Sequence, residues 1–369
     1  MSRFPLFNLV LICLLASCSN PEKQSPKITD FSNLLLPAVK DGGFNMDNYW
    51  IWGASAIKGP DGQYHLFASR WPKQYPFNQG YVYHSQVVHA VSEKPEGPYR
   101  FKDVALTRRP GYWDGKMTHN PTIQQWEDTY YLFYIGSTYE GESPDGDSLS
   151  RIRQIYKKPA YKNIRIGVAR STSLDGPWER LDTPILAPQP TGFDSVVVTN
   201  PAPYINEDGS VDLIYRTHIR GTGNRLAYAR ADHPLGPYRR VLQAPISTAI
   251  VEDPFIWKQD STYYILAKDM EGSITGEKHA GVFLTAKDLT QWTLGKNPKA
   301  YSRTVKWADG TQTVQGSFER PQLLIQNGRP THLFAATADG PGGFRNANHT
   351  WNMVVPLKSS ECTRPGMAY

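Results

Sequence analysis

Five copies of one pattern run along this 369-residue chain. The full pattern is a polar or acidic residue, a proline, an apolar strand, a turn and an aromatic strand. The clearest is His119-Asn120-Pro121-Thr122-Ile123, then Trp126-Glu127-Asp128, then Tyr130-Tyr131-Leu132-Phe133-Tyr134. Further copies start at Asn200-Pro201, Asp253-Pro254 and Arg320-Pro321, and a first one at Trp52-Gly53-Ala54 lacks the proline. A second pattern follows the first three copies and ends in Gly97-Pro98-Tyr99, Gly176-Pro177-Trp178 and Gly236-Pro237-Tyr238, with a looser version at 282–292. Each unit therefore holds about four short strands bounded by turn residues. The anchor positions 53, 120, 200, 253 and 320 are spaced as propeller blades are. No segment has a long 3.6-residue periodicity, so helices should be rare. The expectation is an all-β chain, a single five-bladed β-propeller of four-stranded antiparallel blades over residues 30–369. A two-sheet sandwich does not predict five copies of one motif.

That topology says which residues share a surface. In an up-and-down blade, the start of strand one and the loop from strand two to strand three lie on the same face. The residues before each proline should meet at the central axis, ringed by loops at 69–87, 137–165, 216–225, 268–281 and 337–350. Those loops are long for hairpins, and long irregular loops are more often functional. They carry His84, His218, His279 and His349, and His119 lies at a strand start.

The first 17 residues read as a signal segment. Arg3 is followed by a mostly apolar run from Phe4 to Ala16, too short to span a bilayer. It ends in Leu15-Ala16-Ser17-Cys18, which resembles the lipobox of bacterial lipoproteins. The resemblance implies lipid on Cys18 and a polar tether over 18–29 that hold the protein outside the cytoplasm on the outer membrane; a simple secretory signal whose cleavage site contains a cysteine is the alternative. The chain is expected to be a monomer that meets the membrane through that anchor alone. The other cysteines are Cys13 and Cys362, so neither a disulfide framework nor a cysteine metal site can form. A net charge of +6 with no basic run argues against a general nucleic-acid binder and leaves room for an acidic substrate.

At the axial face the sequence resembles the glycoside hydrolase clan that includes families 43, 32, 68 and 117, all five-bladed propellers with acidic residues around the axial pocket. Val251-Glu252-Asp253-Pro254 is similar to the family 43 Glu-Gly-Pro segment, which implies a general acid at Glu252. Apolar Ile250, Val251 and Phe255 should desolvate that carboxyl group and raise its pKa. The third-blade motif has Asp before Pro; here the residue is Asn200. The first-blade motif has its general-base Asp where Gly53 stands, so the base role passes to Asp47, six residues before it. Family 117 implies a histidine acid instead, an option the loop histidines keep open. Hydrolysis of a glycosidic bond needs one carboxylic acid and one carboxylate, and the pocket also offers Asp253 and Glu319. Trp52, Arg70, His119, Asn120, Asn200, Arg216, His218, His279 and Arg320 complete the expected site as substrate-binding residues. Acidic residues before proline also serve as turn residues, Glu319-Arg320 also reads as a structural ion pair, and Asp114 reads equally as a turn or a site residue.

The expected function is an exo-acting glycoside hydrolase on a polysaccharide-derived oligosaccharide. Arg70, Arg151, Arg153, Arg216, Arg220 and Arg345 in the loops suit an anionic or sulfated sugar. The alternatives are a catalytically inactive glycan-binding propeller, or a phosphorylase using Arg70, Arg216 and Arg320 on phosphate. No cofactor is required; a structural Ca2+ in the axial channel is compatible with the resemblance.

Overall fold

The structure is a computed structural model, and it describes residues 27–145, 157–340 and 342–358. The signal segment, Cys18, most of the tether, Arg151, Arg153 and Cys362 lie outside the described residues.

Among the described residues, nineteen of the twenty-one strands form five antiparallel blades around one axis. Blade 1 holds β1 (Tyr49–Lys58), β2 (Tyr64–Pro72), β3 (Gln86–Ser92) and β4 (Arg100–Leu106), hydrogen-bonded in chain order. Blade 2 holds β5 (Met117–Trp126), β6 (Thr129–Ser137), β7 (Arg165–Ser171) and β8 (Glu179–Arg180). Blade 3 holds β9 (Val198–Ile205), β10 (Val211–Ile219), β11 (Gly223–Ala231) and β12 (Arg239–Arg240). Blade 4 holds β13 (Val251–Gln259), β14 (Thr262–Asp269), β15 (Gly281–Asp288) and β16 (Gln291–Tyr301). A small ribbon, β17 (Thr304–Lys306) with β18 (Gln312–Val314), leads into blade 5. That blade has three strands, β19 (Ser317–Gln326), β20 (Arg329–Ala338) and β21 (Thr350–Pro356). The chain's own beginning covers its outer edge, through bridges from Leu35 to Leu357 and from Phe44 to Asn352.

Each blade's apolar residues face its neighbours, so the core is divided among the five blade interfaces. Phe67 meets Leu132 between blades 1 and 2, and Ile135 meets Leu213 between 2 and 3. Ile214 meets Ile265 between 3 and 4, Trp257 and Phe283 meet Leu333 between 4 and 5, and Leu324 meets Ile51 where the ring closes. Burial on both faces explains why inner strands read as continuous apolar runs rather than alternating ones.

Every inner strand breaks register at its anchor, between Trp52 and Ala54, His119 and Thr122, Glu252 and Phe255, and Glu319 and Gln322. In blade 3 the same break lies between Thr199 and Ala202, opposite Ile214 and Arg216 on β10. Asn120, Asn200, Asp253 and Arg320 adopt left-handed backbone, with φ between 50° and 58°. These bulges turn the side chain before each proline out of the sheet and onto the axis. One expected loop is absent: β10 and β11 pair through Ile219 and Gly223 in a tight hairpin. Arg216 and His218 therefore sit on β10 rather than on a loop.

Candidate functional site

The five anchor residues form a closed ring at the axis. Asn120 Nδ2 donates to Asn200 Oδ1 at 2.9 Å, and Asn200 Nδ2 donates to Asp253 Oδ1 at 2.6 Å. Arg320 Nη1 faces Asp253 Oδ1 at 3.5 Å. Gly53 closes the circle: a Cβ there would lie 3.0 Å from Asn120 Oδ1 and 3.1 Å from Arg320 Nε.

Above this floor stand the residues one position earlier, Trp52, His119, Thr199, Glu252 and Glu319, all of which line a cavity of about 220 Å³. Their partners across the inner hairpins come next. Arg216 pairs with Thr199, Lys268 with Glu252, and Ile135 with His119, and all three also line the cavity. Trp71, Phe77, Tyr81, Tyr161 and Phe344 form an aromatic wall, with Trp52 and Phe77 ring centroids 4.8 Å apart. His279, at φ 66°, enters from the loop after β14.

Lys268 is the electrostatic centre. Its ammonium is 3% exposed, forms ion pairs with Glu252 and Glu319, and lies 3.5 Å from Asp253 Oδ2. Burial alone would lower its pKa, but Glu252, Glu319 and Asp253 hold it well above the usual lysine range. Glu252 also meets Arg216 Nη2 at 3.3 Å and accepts from Asn224 Nδ2 at 2.7 Å. The rise in pKa expected at Glu252 does not occur. Burial pushes the carboxyl up, as its apolar neighbours suggested, but Lys268 and Arg216 outweigh it and bring it down to about 2. Asp253 moves the other way, because burial raises it more than Lys268 lowers it. Burial and Lys268 bring His279 down to about 4, and burial with Arg320 holds His119 well below its ordinary value, so both imidazoles are neutral at pH 7.

Of the expected residues, Glu252, Asp253, Glu319, Trp52, His119, Asn120, Asn200, Arg216, His279 and Arg320 come together around this cavity. His218 stands one step back, bonded to Asn224 Oδ1 at 2.9 Å, and Asn224 in turn holds Glu252. Two assignments fail on position. Asp47 is exposed in the turn before β1 and does not line the cavity. Arg70 lies outside it, its guanidinium 4.4 Å from the Tyr49 ring and 4.5 Å from the Phe101 ring. Asp114 is structural: it is buried and binds Arg109 at 3.0 Å, Arg180 at 3.0 Å and the Tyr134 hydroxyl at 2.8 Å. Sequence reasoning missed Lys268, Tyr161 and Asn224. The signal for Lys268 is the hairpin register, which sets it directly across from Glu252.

Glu252, Asp253 and Glu319 could chelate a cation, since their ligand atoms lie within 4.8 Å of one another. Lys268 already supplies a positive charge to all three, so these residues do not fit a Ca2+ ion alongside it.

No family model matches the chain and no curated protein sequence matches it. Solved structures do. Zg3597, a family 117 glycoside hydrolase of the marine bacterium Zobellia galactanivorans, superposes with a TM-score of 0.64 at 16% identity, covering 89% of this chain and 91% of that one. CoXyl43, a GH43 β-xylosidase/α-arabinofuranosidase from a compost microbial metagenome, gives 0.55 at 15% identity over 88% and 96%. The arabinanase Arb43A of Bacillus subtilis gives 0.54 at 15% identity over 86% and 97%. The chain thus has the five-bladed propeller fold that these glycoside hydrolases share.

Proposed function

We propose that the chain is an exo-acting glycoside hydrolase whose axial cavity takes one terminal sugar. The observation that carries this reading is the pair of buried neighbouring carboxyl groups, Glu252 and Asp253, pushed in opposite directions by their surroundings. Two titratable groups with opposed environments supply the acid and the base of one reaction. Glu252 stays ionised and serves as base or nucleophile. Asp253, which burial drives toward its protonated form, serves as proton donor to the leaving oxygen. Glu319 orients Lys268, which shields the charge between them. The cavity is small and floored by the axial ring, which suits a chain end rather than a chain passing through. Its aromatic wall offers rings on which a sugar's apolar face packs, and the solved neighbours are named as glycoside hydrolases. Arg216 and Arg320 in the lining favour an anionic sugar. The lipobox-like Leu15–Cys18 segment supports lipid anchoring outside the cytoplasm.

A non-catalytic glycan-binding propeller is the second reading, favoured by Lys268 and Arg216 neutralising Glu252. Release of monosaccharide from a glycan panel separates the two. In the hydrolase, Glu252→Gln and Asp253→Asn each reduce turnover by about 100-fold or more. An activated leaving group restores much of the rate to Asp253→Asn and little to Glu252→Gln. The reverse rescue returns the acid role to Glu252, and no release from any glycan supports the binding module.

A further inference from the structure

The outer part of blade 1 holds two histidines that the axial cavity does not use. His65 on β2 and His89 on β3 lie nearly coplanar, 17° apart, with His65 Nδ1 and His89 Nε2 sharing a hydrogen bond of 2.9 Å. His65 Nε2 reaches Asp61 Oδ1 at 3.1 Å. A carboxylate only accepts, so the His65 proton sits on Nε2 and its Nδ1 is the acceptor. His89 must then carry its proton on Nε2, which leaves a bare lone pair on His89 Nδ1.

That atom is buried and has no hydrogen-bond partner among the described residues. It faces Asp103 Oδ2 at 3.5 Å and Asp175 Oδ1 at 3.8 Å. A buried lone pair that faces two carboxylates calls for a cation between them.

We propose that His89 Nδ1, Asp103 and Asp175 bind a late first-row divalent cation such as Zn2+, clipping the outer edge of blade 1 to blade 2. Nitrogen and oxygen donors of this kind suit zinc, with donor atoms about 3.3 Å apart in a tetrahedral shell. His65, His89 and Asp175 also offer ligand atoms within 4.8 Å of one another. The Asp103 and Asp175 side chains are 44% and 52% exposed, so both are free to turn toward His89 Nδ1. The His89 Nε2–His65–Asp61 chain is the outer hydrogen bonding that fixes the tautomer and orientation of a metal-bound imidazole. Asp103 lies on β4 and Asp175 in the turn between β7 and β8, so the ion ties two blades together. Lys102, now 2.5 Å from Asp175 Oδ1, is the cation to be displaced.

The test uses the chain stripped by chelator and titrated with Zn2+ alone, read by calorimetry and by thermal unfolding. One ion per chain is expected, with Kd below about 10 µM and an unfolding midpoint that rises with added metal. Asp103→Asn and Asp175→Asn are exposed substitutions that leave the fold intact, and each should weaken binding at least 10-fold. His65→Gln should cost about 10- to 100-fold through the outer hydrogen bond, and Lys102→Met should tighten binding. A flat titration of the unaltered chain overturns the proposal, as does binding that survives Asp103→Asn and Asp175→Asn together.

Discussion

Asn200 Oδ1 accepts from Asn120 Nδ2 and from Thr199 Oγ1, both at 2.9 Å, while Asn200 Nδ2 donates to Asp253 at 2.6 Å. Only an amide can both give and receive at this point of the axial ring. An ionised carboxylate there, as the family resemblance suggested, would leave Asp253 Oδ1 without its donor and place a new charge in the buried ring. Asn200→Asp is therefore expected to destabilise the chain by about 1–3 kcal/mol, the cost of leaving a buried acceptor unmade, as read by urea unfolding at neutral pH. Unchanged stability would show that the ring is not held by these bonds. Glu252 makes a separate prediction for acid. Its folded pKa, about 2, lies below the ordinary glutamate value of 4.5, so its pairing stabilises the fold above pH 4.5 and is lost as pH falls toward 2. Urea midpoints of the unaltered chain should fall across that window, and those of Glu252→Gln should fall less.

Three inner hairpins turn on two residues each, and they differ in how well their sequence suits the backbone. Asn327 and Gly328 both have positive φ, at 51° and 72°. An Asn-Gly pair between apolar strands is the strongest short hairpin signal, and it was legible as such. Glu127 and Asp260 occupy the same left-handed first position, at φ 51° and 52°, with side chains that pay a steric penalty there. Glu127→Gly should stabilise the chain by about 0.5–1 kcal/mol in chemical denaturation; a loss of stability would mean that the Glu127 side chain contributes more than its backbone costs. The blade count and the axial positions were readable because bulge and proline recur at every inner strand. The third two-to-three loop is a tight turn although Gly221-Thr222-Gly223 looks like part of an extended loop, because the strand runs on to Ile219. Lys268 could not be seen without the pairing register, since a single lysine near a strand end carries no pattern. Asp47 was misplaced because moving a base six residues back along the chain crosses the turn that takes it out to solvent.

At the scale of the whole molecule, the question is how a ring of blades joined only in series is kept shut. Each blade's packing reaches only its neighbours, so the seam between blades 5 and 1 needs a closing element. The segment before β1 supplies it. Phe31 is fully buried in the core between blades 4 and 5, and Phe44 is 1% exposed in the core between blades 1 and 5. Phe44 and Asn352 exchange backbone hydrogen bonds of 2.9 and 2.8 Å, and Leu36 donates to the Pro356 carbonyl at 2.9 Å. On the other side, Tyr99 donates to the Gly43 carbonyl at 2.8 Å, and Gly43 donates to that of Glu96 at 2.7 Å. One stretch of chain thus replaces the missing fourth strand of blade 5 and grips the outer turn of blade 1. A chain beginning at residue 30 should unfold cooperatively with an unchanged midpoint. One beginning at residue 46 removes both aromatic anchors and all of these bonds, and should lose its single sharp transition. Phe44→Ala tests the same seam within the intact chain and should cost about 3–5 kcal/mol, the range for deleting a buried ring. If Phe44→Ala unfolds at the unaltered midpoint, the ring is closed by direct packing of blade 5 on blade 1, and the segment is only a cover.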